Sequence, residues 1–218
     1  MMGIQTYFEL ERKNFTLDIA RSAVKAWVDK YRLKKVDIEK EASKLYNDGN
    51  GGGILFTNLP YNALIIEVQS SKRYNRIPSG KLYVYMSCDR TNFKSQKQLE
   101  QYIDDSVVLY YILKPTFGAC DYGDSFESDG THFLRGPAMY SIMFFGPRLV
   151  SSIGLGKFLA LHEEVYQVKR LNEGGVLLWL SEGEQWLAEG EQEERAFLLP
   201  GSNDLEEKVA QQLGIKSR

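Results

Sequence analysis

The chain has 218 residues, a formal net charge of -2, 43% hydrophobic residues and 26% charged residues. That length holds one large domain or two fused small α+β units, and the apolar share furnishes a sizeable core. So balanced a charge excludes a chain built to neutralise many phosphates, and no nucleic-acid partner is expected.

In chain order, residues 3–11 (GIQTYFELE) alternate apolar and polar side chains and predict a strand. From Thr16 to Leu33 the period lengthens: Ala20, Val24, Trp27 and Tyr31 share one face of a helix, with Thr16 as its N-cap. A shorter helix is expected over 37–48, and NGGG (50–53) reads as a flexible turn. Strands follow at 54–58, 63–70 and 81–87, an antiparallel meander with the helices packed on one face. A long helix spans Ser95 to Leu113, presents Leu99, Ile103, Val107 and Tyr110 on one side, and ends at Lys114-Pro115. Residues 117–129 (FGACDYGDSFESD) read as an acidic loop. Beyond it come a strand (138–146), a short helix from Pro147, strands at 165–171 and 176–181 around an NEGG turn, and a last helix at 203–213. The whole is α+β with a mainly antiparallel sheet. It is read as one domain, 1–218, with sub-halves 1–115 and 116–218 in view.

The two cysteines, Cys88 and Cys120, are too few for a disulfide framework and are expected to be buried thiols in a reduced compartment. The amino terminus lacks the basic and apolar regions of a secretory signal. The longest apolar runs, VVLYYIL and AMYSIMFFG, fall short of the ~18–20 residues of a membrane span. A soluble, cytoplasmic protein without membrane contact is the expectation, and the oligomeric state is open.

The acidic loop, with Asp121, Asp124, Glu127 and Asp129, invites a metal reading. Its spacing fails: a calcium loop alternates oxygen ligands around a glycine and closes with a distal Glu, and zinc needs Cys or His partners at recognisable intervals. His132 and His162 stand in no nucleophile–base signature, and NDGNGGG lacks the Lys-Ser/Thr of a phosphate-binding loop. Glu67 in LIIEVQ is followed two positions later by Gln69, where a nuclease would place a lysine. No cofactor, metal or catalytic residue is assigned.

Charge patterning says more. Residues 182–207 hold nine acids against one base, Arg195, about -8 in all, whereas SKRYNRIPSGK (71–81) is basic with no acid. Such blocks ordinarily form solvated surface. An acidic tract carrying Trp186 and Phe197 also suits a basic protein partner.

The order LYYILKPTFGACDYGD, then FGPRLVSSIG (145–154), then NEGGVLLWLSEG resembles a group of bacterial immunity-type proteins from polymorphic toxin and type VI secretion neighbourhoods. The likeness covers about residues 105–185. FGP also has a plainer reading, in which Gly146 ends a strand and Pro147 takes the first position of a helix. The resemblance implies a non-enzymatic inhibitor that binds a cognate toxin, a basic domain among the candidates, and occludes its active site. The partner-binding residues expected on electrostatic grounds are Asp121, Asp124, Glu127, Asp129, Trp186, Glu189, Glu191 and Glu193. A metal-dependent hydrolase or small-ligand-binding domain, with its site at loop 120–129, is the alternative.

Overall fold

Strand β1 (Ile4–Glu11) sends Ile4, Phe8 and Leu10 to one side and Tyr7 to the other, and both sets are buried. A strand apolar on both faces belongs in the middle of a layered sheet. β1 is hydrogen-bonded along both its edges, to β4 (Lys81–Cys88) and to β5 (Phe117–Tyr122), both antiparallel. The computed structural model describes residues 4–59, 62–70, 77, 79–88, 96–122, 139–180 and 203–215.

With β2 (Gly53–Leu59), β3 (Asn62–Ser70), β6 (Ile142–Phe145), β7 (Gln167–Arg170) and β8 (Val176–Trp179), these strands form one sheet in the order β2-β3-β4-β1-β5-β6-β8-β7. Every neighbouring pair is antiparallel. The fold is α+β, and the sheet runs unbroken across position 115, because β1 and β5 pair directly.

Helices cover both faces, where the sequence pattern had placed them on one. Helices α1 (Leu17–Tyr31), α2 (Ile38–Tyr46) and α3 (Gln96–Leu113) pack on the face of Ile4, Phe8, Val84 and Phe144. Helices α4 (Pro147–Ile153), α5 (Leu155–Leu159) and α6 (Asn203–Leu213) pack with Tyr7, Phe117, Met143, Phe145 and Leu178 on the other. Consecutive residues Phe144 and Phe145 thus serve opposite cores, and all four residues of β6 are buried.

Local signals set the helix ends. The Thr16 side chain accepts the Ile19 amide and that of Asp37 the Lys40 amide, which start α1 and α2. Arg32 and Asn47, both left-handed, end them. The glycine run after α2 is firmly held: the Gly51 and Gly52 amides donate to the carbonyls of Tyr46 and Leu45 at 3.3 and 3.1 Å.

Helix α3 buries Leu99, Ile103, Val107 and Tyr110 as its periodicity requires. A buried polar string fixes it on the sheet. The Tyr102 hydroxyl donates to the Met86 carbonyl at 2.6 Å, and the Ser106 and Thr6 hydroxyls lie 3.0 Å apart. On its other side Asp105, almost wholly buried, accepts from Lys30 Nζ at 2.5 Å and the Tyr31 hydroxyl at 2.6 Å, tying α3 to α1. Its C-terminal end is less enclosed than an all-apolar turn implies, since Tyr111 and Ile112 are only half-buried.

One expectation is overturned. Residues 117–122 are a strand in the middle of the sheet, where a loop was expected. Phe117, Gly118, Ala119 and Cys120 are buried there between β1 and β6, and Gly118 leaves room for the Phe8 ring, which an added Cβ would meet at 2.4 Å. Both cysteines are buried free thiols.

Candidate functional site

Of the residues expected to bind a partner, Asp121 lies in β5, its backbone opposite Gln5 of β1. Asp124, Glu127, Asp129, Trp186, Glu189, Glu191 and Glu193 fall outside the described residues. Among the described residues no group of three or more His, Cys, Asp or Glu side chains stands where it would hold a metal ion.

The three segments that carry the immunity-type resemblance meet in space: β5, β6 and β8 are consecutive in the sheet. Glycines make this junction. A Cβ on Gly146 would come within 2.3 Å of the Pro115 carbonyl oxygen, and one on Gly175 within 2.0 Å of the Tyr110 hydroxyl. Pro147 then opens α4, whose N-cap is Gly146. A cavity of about 220 Å³ beside it is lined by Tyr110, Tyr111, Lys114, Pro147, Asn172 and Glu173. Its rim carries an exposed Lys114–Glu173 ion pair of 2.7 Å. Here FGP and the Gly-Gly turn act as packing devices.

On the Tyr7 side of the sheet, β1 and β4 carry a second polar array. Lys81 Nζ lies 2.8 Å from Glu9 and 2.7 Å from Glu11. Its hydrogen bond holds the Glu11 carboxyl below the ordinary glutamate range. Further along, burial pushes the Tyr7 phenol well up, helped by the neighbouring Tyr140, whose ring stands edge-on to it at 5.9 Å. Tyr7 also packs edge-on against Tyr83 and Phe117. This array is locked within itself.

A different place is left open. Strand β7 ends the sheet, and α3 crosses the same face further in, so a groove of about 180 Å³ lies between them. One wall is a single stripe of α3, Glu100, Ile103, Asp104 and Val107, at the i, i+3, i+4, i+7 spacing of one helix face. The other is Gln167 and Lys169 of β7 with Leu177 and Trp179 of β8. Tyr166 closes one end, its ring edge-on to Trp179 at 4.9 Å, and it is 40% exposed. Glu100, Asp104 and Lys169 are exposed and form no ion pair among the described residues. Trp179 is only 3% exposed, and its indole N–H has no acceptor there.

The sequence reading missed this groove. Its only local trace is the placing of Glu100 and Asp104 beside the apolar stripe of α3. The facing residues come from more than sixty positions later in the chain.

No protein-family model matches the chain, and no curated protein matches it. In fold it is similar to a solved structure titled "Pseudomonas aeruginosa T6SS protein PA0821". That likeness covers 99% of this chain and 77% of the other at 8% identity, with a TM-score of 0.57. At that identity the fold is shared, and the printed title describes that protein. In this chain no described helix is long and apolar enough to cross a membrane.

Proposed function

We propose that this chain is a non-enzymatic binding protein of the immunity type, which neutralises a cognate bacterial toxin by covering its active site. The observation that carries the reading is the α3–β7 groove beside the last described strand, where Glu100 and Asp104, which form no ion pair among the described residues, share the lining with Tyr166 and Trp179. Charge left uncompensated beside apolar surface serves association with an oppositely charged protein. A fold shared with a T6SS protein supports the same reading.

On this proposal the acidic segments steer the encounter, through Asp121, Asp124, Glu127 and Asp129 in one and Trp186, Glu189, Glu191 and Glu193 in the other. The test is co-expression with the product of the neighbouring reading frame. The two proteins are expected to co-purify and the toxin's activity to be lost. Neutralising the acids (Asp→Asn, Glu→Gln) should slow association by about 10-fold or more at low salt. A partner that is neutralised equally fast by the charge-free variant sinks the electrostatic part. Metal-dependent turnover by the purified chain sinks the binding-protein reading.

A further inference from the structure

We infer that strand β2 is a self-association edge: two copies of this chain pair β2 with β2, antiparallel about a two-fold axis at Leu55, and join their sheets into one. This edge lies at the far end of the sheet from the α3–β7 groove, and its pairing is independent of the binding reading.

The β2–β3 ladder shows which main-chain groups are available. The Gly52 carbonyl accepts the Val68 amide at 2.8 Å, just ahead of the antiparallel register that sets Gly53 opposite Glu67 and Ile54 opposite Ile66. Successive residues of such a strand turn their N–H and C=O to opposite sides. Ile54 and Phe56 therefore bond to β3, while Gly53, Leu55 and Thr57 turn theirs outward. All three of these are exposed, Leu55 at 60%, so the edge stands open to water.

The side chains mark the same edge. Leu55 lies opposite Ile65 of β3, itself 45% exposed, and both point away from the layer that buries Ile54 and Phe56. Further in, the same cross-strand row turns polar, with Ser87 of β4 and then Gln5 of β1. The exposed apolar pair thus sits at the rim of the sheet and not across its face. That suits a strand added alongside better than a helix laid on top.

A second copy is the occupant this edge fits. Residues Gly53–Leu59 (GILFTNL) carry no charge, and they lack the lysine or proline with which single-chain proteins guard an open edge. The opposite edge strand, β7, carries Lys169 and Arg170, so a copy meeting itself there would set like charges together. About a two-fold axis at Leu55, antiparallel pairing sets Leu55 against Leu55 and Gly53 against Thr57 in both directions. Every outward amide then meets an outward carbonyl. Leu55 and Ile65 of each copy line up as one apolar stripe across the junction. The register shift between Thr57 and Leu59 ends the ladder there. A pairing this short buries less than the ~1,200 Å² of a standard interface, which sets the expected dissociation constant in the micromolar range.

The experiment follows the weight-average mass of the full chain by sedimentation equilibrium from ~5 to ~500 µM. It should rise from the 24.9 kDa of one chain towards twice that value and no further. Amide exchange at Gly53, Leu55 and Thr57 should slow as concentration rises, and exchange at Ile54 and Phe56 should not change. Residue 55 meets itself at the axis, so Leu55→Lys and Leu55→Glu chains should each keep their thermal midpoint and self-associate at least about 10-fold more weakly. An equimolar mixture of the two should regain the dimer. A monomer at every concentration, growth beyond a dimer, undiminished association by both charged variants, or a mixture no tighter than either variant alone overturns the proposal.

Discussion

At the residue scale, the side chain under most constraint is Asp105. It is ionisable, sits at the interface of α1 and α3 with 1% of its side chain exposed, and is held by Lys30 and Tyr31. Its neighbour Asp104, one position earlier, is exposed and forms no ion pair among the described residues. One helix thus uses adjacent acids for opposite ends, one to fasten the fold and one to face the groove. Removing Lys30 while keeping Asp105 strands a carboxylate in the interface, so Lys30→Met is expected to destabilise by about 2–3 kcal/mol. That lies below the ~3–5 kcal/mol of a fully buried pair because Lys30 remains a third exposed. Lys30→Met combined with Asp105→Leu should recover much of the loss. Urea unfolding of the variants reads both effects, and a loss below about 0.5 kcal/mol for Lys30→Met would mean that other contacts satisfy Asp105.

At the element scale, the β6–α4 corner shows how a short motif reads as structure. Gly146 passes so close to the carbonyls of Pro115 and Thr116 that no side chain fits without moving backbone, since the added Cβ would meet those oxygens at 2.3 and 2.8 Å. Gly146→Ala should therefore cost about 1–3 kcal/mol or more and shift β6 against β5. Gly156, in α5 with nothing within 4 Å of an added Cβ, should accept alanine with no loss or a gain of up to ~1 kcal/mol. Thermal melts of the two variants make the comparison, and equal losses would refute the packing account. The glycine–proline corner was legible in the sequence because strand end and helix start are both local. So were α1, the stripe of α3 and the three-strand meander, each written in its own periodicity. Residues 117–122 were not: a central strand sandwiched between neighbours takes Gly, Ala and Cys where an exposed one would alternate, and those residues followed by acids imitate a loop. The groove was hidden for another reason. Trp179 and Lys169 meet Glu100 and Asp104 only because β7 and β8 return beside α3, and tertiary return leaves no mark on local pattern.

At the scale of the whole molecule, the sheet divides two dry layers, and its edges differ. Edge strand β2 exposes Leu55 at 60%, with its cross-strand partner Ile65 on β3 exposed at 45%, while edge strand β7 carries Lys169 and Arg170. Both layers hold phenols sealed from water: Tyr102 beneath α3, and Tyr7 on the opposite face. Burial raises both phenols well above their ordinary value; for Tyr102 the neighbouring Cys120 and Cys88 add to it, for Tyr7 the neighbouring Tyr140. Tyr110, less enclosed, is pushed up to about 12, first by burial and then by Tyr111. The sign of the consequence follows from linkage. Above pH ~10 the unfolded chain releases these protons and the folded chain keeps them, so the native state binds more protons and stability falls as pH rises. Tyr7 and Tyr102 should each contribute about 1.4 kcal/mol of lost stability per pH unit in that window, and neither contributes below it. Absorbance at 295 nm should therefore show the exposed tyrosines ionising near pH 10, and the buried ones only together with loss of near-ultraviolet circular dichroism. Tyr7→Phe should shallow the alkaline limb while leaving the melting temperature at neutral pH far less changed. If all the phenols titrated smoothly near pH 10 with the dichroism intact, water would be reaching both layers, and the sealed, two-sided core described here would be wrong.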